Sequence, residues 1–253
     1  RLATANLYGE AVLRPMQDRL AVETDDVDFL HASLWDVRRT STKYPDRHVL
    51  PMLREQGLRI VAHAVDALAA HHRHLDYEVV LVADGTGEAT GRALEDLARE
   101  DPHVRVLHLD PAAGFGAAMN LAMGQALGRV LVWLDPHVEA TGDLLGPLLA
   151  ALDQPGTGLA GGWGVTTTSM LEFEADDGPE VDAIEGYLLA VPRALAARVR
   201  VDPKDRYYRN ADLDYSFAVR ALGWRATRVE VPATRHRPSL VRAVGSSTMD
   251  RQS

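Results

Sequence analysis

Leu109–Val138 reads LDPAAGFGAAMNLAMGQALGRVLVWLDPHV, and its punctuation decides the fold. Two glycines, Gly114 and Gly116, open a helix predicted over Gly116–Leu127, which stops at Gly128. A short apolar run, Val130–Leu134, follows and ends abruptly on Asp135. A brief β-branched run bounded by polar residues reads as a buried strand. An acid at the C-terminal end of such a strand stands where open α/β sheets place their ligands. His137 sits two residues on, where a second carboxylate would be expected.

The same alternation continues on both sides. Upstream, Leu58–Ala70 has helical spacing, and Glu78–Ala83 (EVVLVA) is a strand running into Asp84-Gly85. A helix over Ala89–Glu100 and a strand over Val104–Leu109 lead into the quoted stretch. Downstream, a helix is predicted over Gly142–Leu152 with Thr141 as its N-cap. The order β-α-β-α-β-α predicts an α/β fold, a mostly parallel open sheet with helices on both faces. Past Gln154 the texture changes. Gly156–Gly164 is glycine-rich, Ile184–Val191 reads as a strand, Phe217–Leu222 as a helix and Trp224–Val231 as a last strand. Residues 1–50 read poorly, with Val27–Trp35 as a candidate strand and Arg38–Arg47 as a loop. The expected organisation is that N-terminal segment followed by one domain, 51–253, in two halves meeting near residue 154.

Bulk properties narrow the function. With 253 residues, 46% of them hydrophobic, the chain can bury a large core. A net charge of −9 argues against nucleic-acid binding, which needs clustered Lys and Arg. Absence of cysteine excludes disulfides, zinc–thiolate sites and thiol catalysis. Apolar runs are too short for the roughly 20 residues of a membrane span, and no signal peptide is visible, so a cytoplasmic location or the inner face of a membrane is expected. Beginning with Arg1, the sequence is read as a candidate fragment of a longer protein.

Five groups of residues carry candidate chemistry. Asp84-Gly85-Thr86 ends a strand before a helix whose free N–H groups suit a phosphate, though an ordinary β-turn would use the same residues. Gly114 and Gly116 let a ligand approach the backbone, and Asn120 points to a ligand or simply to solvent. The missing third glycine leaves a dinucleotide-binding fold as the weakest option. Asp135 and His137 are spaced to hold a divalent cation, and imidazole suits manganese or zinc better than magnesium. Asp212 and Asp214 flank a helix start, where one of them would be a general base or both would serve the helix dipole. His236 follows the last strand, and the His71, His72, His74 cluster is most simply a solvated helix end.

Taken in order over Glu78–His236, these pieces resemble the family 2 glycosyltransferases of the GT-A fold. Asp84-Gly85-Thr86 resembles the family's first acidic motif, with Ala83 replacing its first Asp. Gly114 to Asn120 resembles its glycine-helix-Asn segment, and Asp135-Pro136-His137 resembles Asp-x-Asp with the second acid replaced. Ala211-Asp212 resembles the Glu-Asp pair with Glu replaced, Gly186–Pro192 resembles the strand before the acceptor site, and His236 resembles the terminal His. The resemblance implies an inverting transfer of a sugar from a nucleoside-diphosphate sugar to an acceptor hydroxyl of a glycan, lipid or small molecule. It implies Asp212 as base. Asp84, Gly85, Thr86, Gly114, Gly116, Asn120 and Asp135 would bind the donor, and Asp135, His137 and His236 a divalent cation, Mn2+ or Mg2+. Ala83, His137 and Ala211 motivate the alternative, a binding module that keeps the fold without turnover.

Overall fold

A computed structural model describes residues 49–109, 111–170, 172–204 and 210–235, with side chains considered from residue 58 onward. The 1–50 segment's predicted strand and loop, Tyr207, Tyr208 and His236 lie outside the described residues. Contacts divide the chain into a compact unit, Val65–Thr234, and a second made of 1–64 and 235–253.

Strands and helices alternate as the sequence predicts. Helix α1 (Val49–His72) precedes β1 (Val79–Asp84), α2 (Glu88–Glu100), β2 (Val104–Leu109), α3 (Phe115–Gln125) and β3 (Val130–Leu134). Then come β4 (Val138–Ala140), α4 (Leu145–Leu152), β5 (Thr157–Gly161), β6 (Gly164–Thr166), β7 (Glu174–Asp176), β8 (Glu180–Val181), β9 (Ala183–Ile184) and β10 (Leu188–Pro192). The short α5 (Arg193–Ala196), α6 (Ala211–Arg220) and β11 (Arg225–Arg228) complete the parts needed here. β2 and β3 have the predicted limits. The strand expected over Ile184–Val191 is instead two strands separated by a turn at Glu185–Tyr187.

β1 and β2 pair in parallel. A five-stranded sheet has the order β3-β10-β5-β11-β8. Its β5–β11 ladder is parallel, while β10 runs antiparallel to both β3 and β5, and β8 antiparallel to β11. The expectation of a mostly parallel sheet is therefore corrected to a mixed one. The cause is the turn at Glu185–Tyr187. It delivers the chain to the sheet beside the end of β3 (Leu188 opposite Leu134), so β10 must run back toward its start (Pro192 opposite Val130).

Period-2 alternation splits the core across this sheet. Leu131, Trp133, Leu159, Leu189 and Val191 face a cluster containing Leu195, Tyr215 and Val219. Leu188, Ala190 and Ala160 face the other way, against Leu68, Leu144 and Leu148. Helices thus cover both faces, as expected, and β10 is buried on both, hence its unbroken apolar sequence.

The histidine cluster at the end of α1 departs from expectation. His72 is fully buried. Its Nδ1–H donates to Leu68 O at 2.8 Å, and its Nε2 accepts from Leu144 N at 2.9 Å and Leu145 N at 3.2 Å. The first amides of α4 need acceptors. His72 supplies one and Asp143 another, taking Gly146 N at 2.8 Å, so Thr141 is not the cap.

Candidate active site

The candidate residues stand at the ends of β1 and β3 and in α6. Asp84, the last residue of β1, accepts Ala113 N on Oδ1 at 2.6 Å and Gly114 N on Oδ2 at 2.9 Å. Its carboxylate therefore anchors the loop that opens α3, which begins on Gly114 at φ 97°. Gly85 turns the chain with φ 57°, and a Cβ there would come within 2.9 Å of the Ala112 backbone, so only glycine fits. Gly85 N closes the corner by donating to Leu109 O at 2.6 Å. Gly116 is buried in the first turn of α3. Thr86 lines a cavity of about 370 Å³ with Ala83, Gly87, Arg92 and His108, among others. Asn120, expected to point to a ligand or to solvent, is committed elsewhere. Its amide donates to Val201 O at 2.7 Å and accepts Val201 N at 3.0 Å, which ties α3 to the segment after α5.

After β3, Asp135 makes a tight turn and carries His137 inward. Its Oδ1 accepts the main-chain N–H of His137 at 2.9 Å and also the His137 Nδ1–H. The His137 side chain is 1% exposed and that of Asp135 14%, so the imidazole lies beneath the carboxylate. The two could meet one cation only by giving up this bond, because a ring nitrogen that donates its N–H to the carboxylate has no lone pair for a metal. Among the described residues no third His, Cys, Asp or Glu joins them. The remaining positions around such an ion would fall to phosphate oxygens and water, the usual situation for a cation that serves a diphosphate.

Asp212 reaches the same neighbourhood from α6. Asn210 starts that helix from a left-handed conformation (φ 53°), after which Asp212 points in and Asp214 is exposed. Of the two acids, then, only Asp212 faces the interior. It is fully buried, and its carboxylate accepts Gly186 N at 2.7 Å and Leu213 N at 3.0 Å. One helical turn on, Ser216 Oγ accepts Ile184 N at 3.2 Å.

The turn Glu185–Tyr187 joins these parts, and sequence reasoning missed it. Tyr187 O accepts Asp135 N at 2.9 Å, Gly186 N donates to Asp212, and Glu185 N donates to Trp163 O at 2.9 Å. Tyr187 is buried, with its ring edge-on to Trp163 at 6.1 Å. The sequence signal was an acid-glycine-aromatic triplet interrupting an apolar run. Behind the site, Trp133 and Tyr215 pack with ring centres 4.8 Å apart, and burial pushes the Tyr215 phenol up.

Comparison with known proteins bears on the family and the fold. A sequence model described as Glycosyl transferase family 2 matches residues 49–184, over half of the chain. No curated protein matches. Among solved structures, the chain is similar to GalNAc-T7 with UDP, GalNAc and Mn2+, at 17% identity and TM-score 0.55, covering 67% of this chain and 39% of that one. It is similar to the mannosyltransferase PcManGT from Pyrobaculum calidifontis in complex with GDP-Man and Mn2+, at 19% identity and TM-score 0.55, covering 68% and 51%. It is also similar to S. aureus TarS, at 18% identity and TM-score 0.51, covering 68% and 54%. The chain thus spans about half the length of these proteins or less. No helix among the described residues is long and apolar enough to cross a membrane. By its match over 49–184 the chain belongs to glycosyl transferase family 2, and its mixed sheet with helices on both faces has the GT-A fold.

Proposed function

We propose that the chain moves a sugar from a nucleoside-diphosphate sugar to an acceptor hydroxyl by a single inverting displacement. The observation that carries this reading is the turn Glu185–Tyr187, which holds the Asp135 backbone and the Asp212 carboxylate on adjacent residues. Asp212 takes the proton of the acceptor hydroxyl. The acceptor oxygen bonds to the anomeric carbon as the bond to the diphosphate breaks. Asp135 would stand on the diphosphate side and the first turn of α3 would offer its N–H groups there, those of Ala113 and Gly114 being taken by Asp84. Asp84 acts by fixing that loop. Asp135 and His137 would hold a divalent cation once the His137 Nδ1–H bond to the carboxylate is released, and the cation would supply charge neutralisation to the leaving diphosphate. Donor binding falls to the half up to about residue 154 and acceptor binding to the half after it.

A second reading is a binding module without turnover. It is favoured by the full burial of Asp212, whose carboxylate is taken up by main-chain N–H groups. Under the first reading, the Gly186 turn moves aside to admit the acceptor.

One experiment separates the two. UDP-, GDP- and dTDP-sugars are offered with Mn2+, and both nucleotide binding and diphosphate release are measured. Release that falls in Asp212→Asn while donor binding persists supports the enzyme. Binding with no release for any donor supports the module, and an undiminished rate in Asp212→Asn removes Asp212 as the base.

A further inference from the structure

The edge of the five-stranded sheet farthest from Asp135 has a composition of its own. Strand register defines this rim. β3 begins at Val130 opposite Pro192, where β10 ends, and β5 and β11 begin side by side with Thr157 opposite Arg225. Arg129, Arg193 and Arg225 therefore line one end of the sheet. Main-chain bonds tie them to it: Arg193 N to Arg129 O and Arg225 N to Gly156 O, both at 2.8 Å. All three are exposed, as is Arg198 just beyond α5. Arg129 and Arg193 border an open cavity of about 480 Å³.

Apolar side chains stand between these cations. Four large hydrophobic residues are exposed among those described, and three belong to this end of the molecule: Leu127 (74%), Leu222 (42%) and Trp224 (37%). Leu127 directly precedes β3 across Gly128 and Arg129, and Arg193 Nη1 donates to Leu127 O at 2.7 Å. Leu222 and Trp224 flank Gly223, immediately before β11. Acids lie there as well, among them exposed Asp76 and, two residues on, Glu78, which accepts Leu127 N. Glu78 is paired with Arg105 at 2.9 Å, and Asp153 is exposed. In a chain with a net charge of −9, a rim that carries Arg129, Arg193, Arg198 and Arg225 beside exposed Leu127, Leu222 and Trp224 is a local exception.

The geometry points to this rim as a docking surface for an anionic lipid bilayer. Guanidinium groups are drawn to the negative surface of acidic lipids. Leucine and tryptophan side chains gain by entering the headgroup boundary, where an indole keeps its N–H near water. Charge complementarity commits the surface to a negative partner, and the interleaved apolar tips commit it to one with an apolar interior. Docked this way, the protein turns the strand ends that bear Asp135 away from the membrane plane.

The test uses the whole chain and vesicles of phosphatidylcholine alone or mixed with phosphatidylglycerol. Sedimentation with the mixed vesicles only, weakening as salt is raised, is the expected result. The Arg129→Glu/Arg198→Glu double variant alters two arginines with no side-chain bond described in the fold. It should partition about thirty-fold less well, at about fivefold per arginine. Arg92→Glu, an exposed arginine off the rim, should bind as the parent does. No sedimentation with anionic vesicles at low salt would overturn the proposal, as would equal losses in the two variants. Sedimentation velocity without lipid should give a species that the double substitution leaves unchanged. A dimer dissolved by it would assign the rim to a second copy of the chain and overturn the lipid assignment.

Discussion

The Gly186 N–H donates to the Asp212 carboxylate at 2.7 Å, one residue before the carbonyl of Tyr187 that receives Asp135 N. Substitution at Asp212 should therefore have two effects of different size. Asp212→Asn keeps the shape but loses the base, and sugar transfer should fall about a hundredfold to ten-thousandfold. Asp212→Ala leaves the buried Gly186 N–H without an acceptor and should also lower stability by about 1–3 kcal/mol. Rates measured beside thermal unfolding separate the two. An Asn variant that loses rate only in proportion to lost folded protein would speak against a base.

His137 lies under Asp135, so the pair can be tested by exchanging its donor. His137→Asp puts a second carboxylate at the turn and should move the cation preference from Mn2+ toward Mg2+. His137→Ala removes the support of Asp135 and, on the proposed reading, a ligand, and should weaken Mn2+-dependent nucleotide binding about tenfold to a hundredfold. Calorimetry with UDP or GDP and each cation reads both effects. Binding that is independent of metal in parent and variants alike would count against any cation at this turn.

His72 holds the start of α4. His72→Ala should cost about 2–3 kcal/mol, from the lost acceptor for Leu144 N and the cavity left in a closed site. His71→Ala, on the exposed neighbour, should change stability by less than about 0.5 kcal/mol. Urea unfolding of the two variants side by side makes the comparison.

Glu78 gives the fold an acid-sensitive joint. Burial works against its charge, but the Leu127 N–H and the Arg105 guanidinium outweigh that and hold the carboxyl below its ordinary value of 4.5. A carboxyl lowered on folding adds stability that is full above its unfolded value and is lost as pH falls through the folded one. Glu78→Gln should thus cost about 1 kcal/mol at neutral pH, a modest figure because the Arg105 pair reaches solvent. The gap between parent and variant should start to close near pH 4.5 and vanish below the folded value. A gap that is constant across that range would show the carboxylate charge to be irrelevant.

What the sequence made legible follows from range. β2 and β3 could be delimited because short apolar runs with polar ends carry their own limits. β5 lies in a stretch that the sequence marks only as glycine-rich, and it is a fully buried strand. A Cβ on Gly161 would come within 2.5 Å of Leu188 O, so that glycine answers to a neighbouring strand. The break at Glu185–Tyr187 was hidden for the same reason, since Asp212 lies 26 residues from the amide it binds. Asn120 and His72 were misread because their partners are 81 and 72 residues away. Candidate residues such as Asp135 and Asp212 could be picked out by type and order. The bonds that orient those groups were not.

The place of β10 between β3 and β5 has a consequence for synthesis and assembly. As the chain leaves the ribosome, β3 and β5 emerge before the strand that separates them. Until Leu188–Pro192 arrives, both present open edges of the kind that pair with the wrong neighbour. A nascent chain halted shortly after β5 should need a chaperone, and one released beyond β10 should not. The two sequence halves are thus woven into one fabric, and recombination at the change of texture near residue 154 would sever the sheet.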